Sequence, residues 1–112
     1  MTLVMQREST EFIYLGVAGN VPSVGAECAF LIAGVRPTSG DWKTAIVVIN
    51  GDPLYASAVA SGATGAFYIA IKIGAFSGGT VTLTAGDYQV WVRMTDASEQ
   101  PVRIAPEALE IA

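Results

Sequence analysis

The run Leu83-Thr84-Ala85-Gly86-Asp87-Tyr88-Gln89-Val90-Trp91-Val92-Arg93 constrains this chain more than any other segment. A short strand ends at a glycine, a tyrosine follows two residues later, and strict alternation runs from there. Tyr88, Val90, Val92 and Met94 share one face, while Gln89, Trp91, Arg93 and Thr95 share the other. Period-two alternation of β-branched and aromatic residues means a half-buried strand. The Gly-x-Tyr entry makes the turn a tight corner, with a phenol placed to hydrogen-bond back onto the chain it has just left.

The rest of the chain repeats the strand–turn rhythm. Strands are expected over 11–17, 26–33, 42–49, 66–73, 80–84 and 88–95, with a last one from Val102 that Pro106 interrupts. Asn50-Gly51 is the clearest turn signal and suits a hairpin. Residues 54–60 fit either a short strand or a helical turn, because of their alanines. Residues 1–10 show no periodicity and read as an N-terminal arm, leaving 11–112 as one domain. About seven short strands separated by turns, with no convincing amphipathic helix, predict an all-β fold, a two-sheet sandwich. At 112 residues the chain can bury roughly two-thirds of its unfolded surface in one core. The core is expected to hold Trp42, Tyr88, Val90 and Val92, with Trp42 opening a central strand. Tyr68, Ala70 and Lys72 are expected to face water, opposite the inward Phe67, Ile69, Ile71 and Ile73.

Chemistry is scarce. There is no histidine and one cysteine, which excludes Ser–His and Cys–His catalysis, zinc sites built on His and Cys, and an internal disulfide. Cys28 reads as a small buried hydrophobe in a chain that assembles in a reducing compartment. Asp96 with Glu99, or Asp52 with Asp87, could pair for calcium or acid–base work, but neither has the alternating ligands of a calcium loop. No catalytic, metal or cofactor-binding residue is assigned. A net charge of −4 with scattered Lys and Arg speaks against nucleic acid and against anionic membranes. No leader-like segment and no apolar run long enough to span a bilayer is read in the sequence.

The surface is unusual. Charged residues make up 14% of the chain, against about 25% in an average domain. Between Asp52 and Asp87 the only charged side chain is Lys72. A tract this neutral is expected to be covered by another chain. Candidate interface residues are Trp91 and Arg93, which alternate away from Tyr88, together with Leu54 and Tyr55. Tyr14, Tyr55, Tyr68, Phe76 and Trp91 are also candidates for a sugar-stacking platform.

Leu83-x-x-Gly86-x-Tyr88 followed by Val90-x-Val92 resembles the corner before strand F in immunoglobulin-like and fibronectin type III-like sandwiches. A longer set of residues resembles the small immunoglobulin-like virion structural proteins of actinobacterial tailed phages. It comprises residues 85–96, then Glu99-Gln100-Pro101-Val102-Arg103 and Leu109-Glu110-Ile111, with Gly34-Val35-Arg36-Pro37, Asp41-Trp42 and the opening Ser9-Thr10-Glu11-Phe12-Ile13. Residues 51–65 depart from that pattern. The resemblance implies a non-enzymatic module in the virion, assembled in the host cytoplasm. It would dock on capsid or other virion proteins as a decoration or accessory capsid protein, and homo-oligomerise. A head–tail connector or tail component is the alternative within that class, and a carbohydrate-binding surface module is the alternative outside it.

Overall fold

The computed structural model describes residues 2–79 and 81–112. Met1, assigned to the arm, and Thr80, assigned to the start of a short strand, lie outside the described residues. The chain is predominantly β. Its strands are β1 (Thr2–Met5), β2 (Glu11–Val17), β3 (Gly25–Leu31), β4 (Lys43–Val48), β5 (Phe67–Ile73), β6 (Gly86–Thr95) and β7 (Val102–Ile111), with one short helix, α1 (Tyr55–Ala60). They form one curled seven-stranded sheet, a half-barrel, in the order β1-β7-β6-β3-β4-β5-β2.

The curl comes from β4. Its first half, Lys43 to Ala45, pairs with β3, and its second half, Ile46 to Val48, pairs with β5. One six-residue strand thus hands the ladder from one wall to the other. The concave side holds the main core. Ile13, Leu15, Cys28, Phe67, Ile69, Ile71, Val90, Val92 and Leu109 are buried there. The alternations of β5 and β6 put Phe67, Ile69, Ile71, Ile73, Val90 and Val92 inward as their sequence requires.

Trp42 is not in this core. It is half-buried, and its ring carries the Arg93 guanidinium 4.6 Å from its centroid. The reason is register: Ala26 pairs with Ala45, and Ala45 and Val47 are the β4 residues that pack inward, so Trp42, three residues before Ala45, has the opposite parity. Tyr88 packs against the core while staying half-buried, opposite Leu109. Its hydroxyl donates to the Thr84 carbonyl at 2.8 Å, closing the Gly86 corner as expected.

A second cluster lies on the convex side. Tyr68 and Ala70, expected in water, are buried there with Val48 and Ala58. The segment left open between strand and helix is helical. Asn50-Gly51 turns the chain with Gly51 at φ 102°, but into α1 rather than a hairpin partner. Six residues, three of them alanine, then lay Ala58 over β5, with Leu54, Tyr55, Phe12 and Tyr14 around it. The connection back to β5 is locked by a close approach of backbones. A Cβ on Gly16 would lie 2.0 Å from the Thr64 carbonyl oxygen, and one on Gly65 would lie 2.4 Å from the Val17 nitrogen.

Both ends of the chain also differ from expectation. Residues 2–5 are not a free arm: β1 lies parallel to β7, Thr2 opposite Ala108 and Met5 opposite Ile111, and Met5 is buried in the core. Apolar residues at the even spacing of Leu3 and Met5 supply the inward face. The last strand is continuous through Pro106 because a register shift absorbs it, and Leu109 to Ile111 are flanked by β6 and β1. The segment after Thr80 forms no strand; Val81 makes an isolated bridge to Ile73.

Candidate functional site

Four residues were expected to form an interface, and the fold separates them into two pairs. Trp91 and Arg93 lie on the convex face of β6. Arg93 donates through Nε and Nη2 to Glu27 Oε1, at 3.0 and 2.7 Å, and stacks on Trp42. Trp91, two residues earlier on the same face, is paired with Ala29 and Ile104 across the ladder. The Arg36 guanidinium lies 5.5 Å from its ring centroid. The result is a series of two cation–aromatic pairs running across the sheet. Trp91 is only 6% exposed, so it cannot present its face to a sugar ring or a partner. Its indole N–H is buried without an acceptor.

Leu54 and Tyr55 lie on the other wall, at the start of α1. Tyr55 meets the buried Tyr68 edge-on at 5.8 Å, and Leu54 packs on the same convex cluster. Both are half-buried and hold the helix down. The carboxylate pairs have local duties too. Asp96 accepts from the Ser23 amide and Asp52 from the Ile49 amide, each at 2.8 Å. Among the described residues, no three His, Cys, Asp or Glu side chains gather to hold a metal, and no helix is long and apolar enough to cross a membrane. Cys28 is fully buried, and burial pushes its thiol up to about 12. Asp41 accepts from both the amide and the hydroxyl of Thr38, led by the amide bond, which holds its carboxyl below the usual range.

Two features remain that can meet a partner. The first is Phe76, 76% exposed at the tip of the β5–β6 loop. Its loop is tied down rather than loose. The Phe76 amide donates to Thr10 Oγ1 at 3.0 Å, and Lys72 Nζ donates to the Ser77 carbonyl at 2.7 Å, with Ser77 at φ 36°. Lys72, the one charge in the neutral tract, is thereby turned onto its own chain, with its Nζ 5.7 Å from the Phe12 ring centroid. The sequence marks Phe76 only as one aromatic among five; the loop that fixes it depends on Thr10, 66 residues away.

The second is the seam of the half-barrel. β2 pairs with β5 alone, so its other edge faces β1 and β7 across a gap. Two cavities open along that edge. A cavity of 130 Å³ lies between β1 and Glu11 to Tyr14, with Glu107 on its wall. A larger one of 390 Å³ lies between Leu15 to Ala18 and the first half of β7, where β1 does not reach. Sequence patterning gives no sign of the seam, because an unpaired edge is a property of the assembled ladder.

Neither a protein-family model, nor a curated protein, nor a solved structure matches this chain.

Proposed function

We propose that this chain is a non-catalytic structural module of a tailed-phage particle, an immunoglobulin-like sandwich that docks on the capsid as a decoration or accessory protein. The observation that carries the reading is the neutral tract between Asp52 and Asp87: its single charge, Lys72, is spent on an internal carbonyl, and its tip presents Phe76 to solvent. A pinned, exposed aromatic at the tip of a neutral tract, with Arg7, Glu8 and Lys72 at its margin, suits an interface centre with a polar rim. The backbone that carries it has little conformational freedom left to lose on binding.

The fold reading is supported by the pairing pattern. β3, β6 and β7 form one wall, β2 and β5 the other, and β1 runs parallel to β7. Reading the half-barrel as two sheets joined through β4, with the Tyr88 hydroxyl bonded back across its corner, supports such a sandwich. The carbohydrate reading loses its main platform, because Trp91 and Tyr68 are both buried.

The test is sedimentation of lysate from infected host cells, with the chain followed by antibody. Co-migration with assembled particles at a fixed ratio, lost in Phe76→Ser, is the expected result. A chain that stays at the top of the gradient in every lysate refutes it. Cryo-electron microscopy of the particles then separates capsid from connector and tail positions.

A further inference from the structure

We infer that the seam between β2 and β7 is a receptor for one extended peptide segment contributed by another polypeptide, added as a strand to the free edge of β2. The inference goes beyond the particle reading and stands without it.

The argument starts from backbone hydrogen bonding. β2 runs in unbroken register with β5 for seven residues, Glu11 opposite Ile73 through Val17 opposite Phe67. On its other side no strand is paired with it among the described residues. Half the N–H and C=O groups of such a strand point away from its neighbour, and only another extended chain meets them at their own period. Edges that must stay single are blunted with proline, lysine or a bulge. β2, with the sequence Glu-Phe-Ile-Tyr-Leu-Gly-Val, has none of these. The strand facing it across the seam is blunted: Pro101 and Pro106 flank and interrupt the part of β7 that β1 leaves uncovered. An added strand would therefore bond to β2.

The room for its side chains is already present. The two cavities follow one another along β2, one beside Glu11 to Tyr14 and one beside Leu15 to Ala18. The stretches of β2 that line them are centred about four residues apart, roughly 13 Å along a strand. That spacing matches positions i and i+4 of an added strand, which project to the same face. The larger cavity reaches the core residues Leu15 and Val92, so an aliphatic side chain would be buried on apolar walls.

The occupant is a lone segment rather than the edge of a folded domain, including a second copy of this one. β1 and β7 stand on the far side of the same cavities, so a second sheet cannot be brought alongside β2. Charge fixes its polarity. Glu11 and Glu107 both line the small cavity, and Glu107 Oε2 is buried there without a donor. At the other end Asp96 and Arg103 offset each other. The segment is thus aliphatic at alternate positions and basic at the end that lies against Glu11 and Glu107.

The probes are blocked seven-residue peptides. Lys-Thr-Val-Thr-Val-Thr-Lys presents a lysine to the acidic end, and a valine four residues away on the same face to the larger cavity, whichever way it runs. A charge-reversed twin carries Glu at both ends, and a third peptide has proline at its centre. The readout is amide hydrogen exchange of residues 11–17 in the intact protein. With millimolar lysine peptide, alternate β2 amides are expected to slow by about tenfold or more. The glutamate peptide should bind about two- to fivefold more weakly, the range for a partly exposed ion pair, and Glu107→Gln should narrow that gap. No slowing with the lysine peptide overturns the inference, as does equal slowing with the proline peptide. So does a peptide-free dimer with β2 already protected, which would assign the edge to a second copy.

Discussion

Replacing Gly16 by alanine tests the packing of the convex wall. Gly16 needs no unusual φ; its constraint is space. The new Cβ would sit 2.0 Å from the Thr64 carbonyl oxygen and 2.5 Å from its carbon, against an ordinary contact that begins at 3.4 Å. The 61–66 loop must therefore withdraw by about 1.4 Å, and both obstacles are backbone, so no rotamer change relieves the clash. Overpacking of this kind costs about 1–3 kcal/mol. Withdrawal also stretches the bond from the Ala66 amide to the Val17 carbonyl, now 2.8 Å, which adds about 0.5–1.5 kcal/mol. The alanine restricts the unfolded chain and returns about 0.4–1 kcal/mol. The net expectation is a loss of about 0.5–4 kcal/mol, centred near 2.3. Gly40→Ala is the control: nothing lies within 4 Å of its Cβ position and its φ is ordinary, so it should keep the unfolded-chain gain of about 0.4–1 kcal/mol with no packing loss. Urea denaturation followed by tryptophan fluorescence measures both, with a slope of about 1–3 kcal/mol per molar. If Gly16→Ala melts at the same urea concentration as Gly40→Ala, the 61–66 loop does not lie on β2 as described.

Tyr88→Phe should lose about 0.5–1.5 kcal/mol, since it removes only the exposed bonds to the Thr84 carbonyl and hydroxyl, whereas Tyr88→Ala should lose about 2–4 kcal/mol with its packing; equal losses in thermal melts would refute the corner. Trp42→Ala should cost about 1–2 kcal/mol, well below the 3–5 of a core tryptophan, and Arg93→Ala in the same background should cost less than it does alone, as a double-mutant cycle in urea would show. Cys28 gives a pH signature. Its folded thiol titrates near 12 and its unfolded thiol near 9.0, so only the unfolded state ionises between them. The neutral-thiol contribution is intact below pH 9 and falls by about 1.4 kcal/mol per unit above it. The stability difference between the native chain and Cys28→Ala, measured from pH 8 to 11, should shrink along that slope, and a flat difference would refute it.

Strand alternation made most of the ladder legible in advance. Phe67 to Ile73 and Val90 to Val92 declare their inward faces because each has one apolar side that no helix period fits. Trp42 misled because hydrophobicity says that a side chain prefers cover without saying which side provides it. The cover is Arg93, 51 residues later by number, and the parity of β4 is set by its partner Ala26. Tyr68 and Ala70 depart from expectation for a related reason: an alternating strand implies one wet face only if nothing lies on it, and α1 does. The neutral tract was visible as composition, while the loop that orients Phe76 and the open edge of β2 arise only from contacts between distant segments.

The parallel pairing of β1 with β7 has a mechanical consequence. Chain entering at Thr2 and chain leaving after Ile111 exit the ladder at opposite ends, across four facing residue pairs. Tension applied through those two exits loads all the rungs between them at once, sideways, instead of unzipping them in turn. A tug on the antiparallel β2–β5 pair from its Glu11–Ile73 end would instead peel its ladder rung by rung, so this domain should resist stretching far better along one axis than along another.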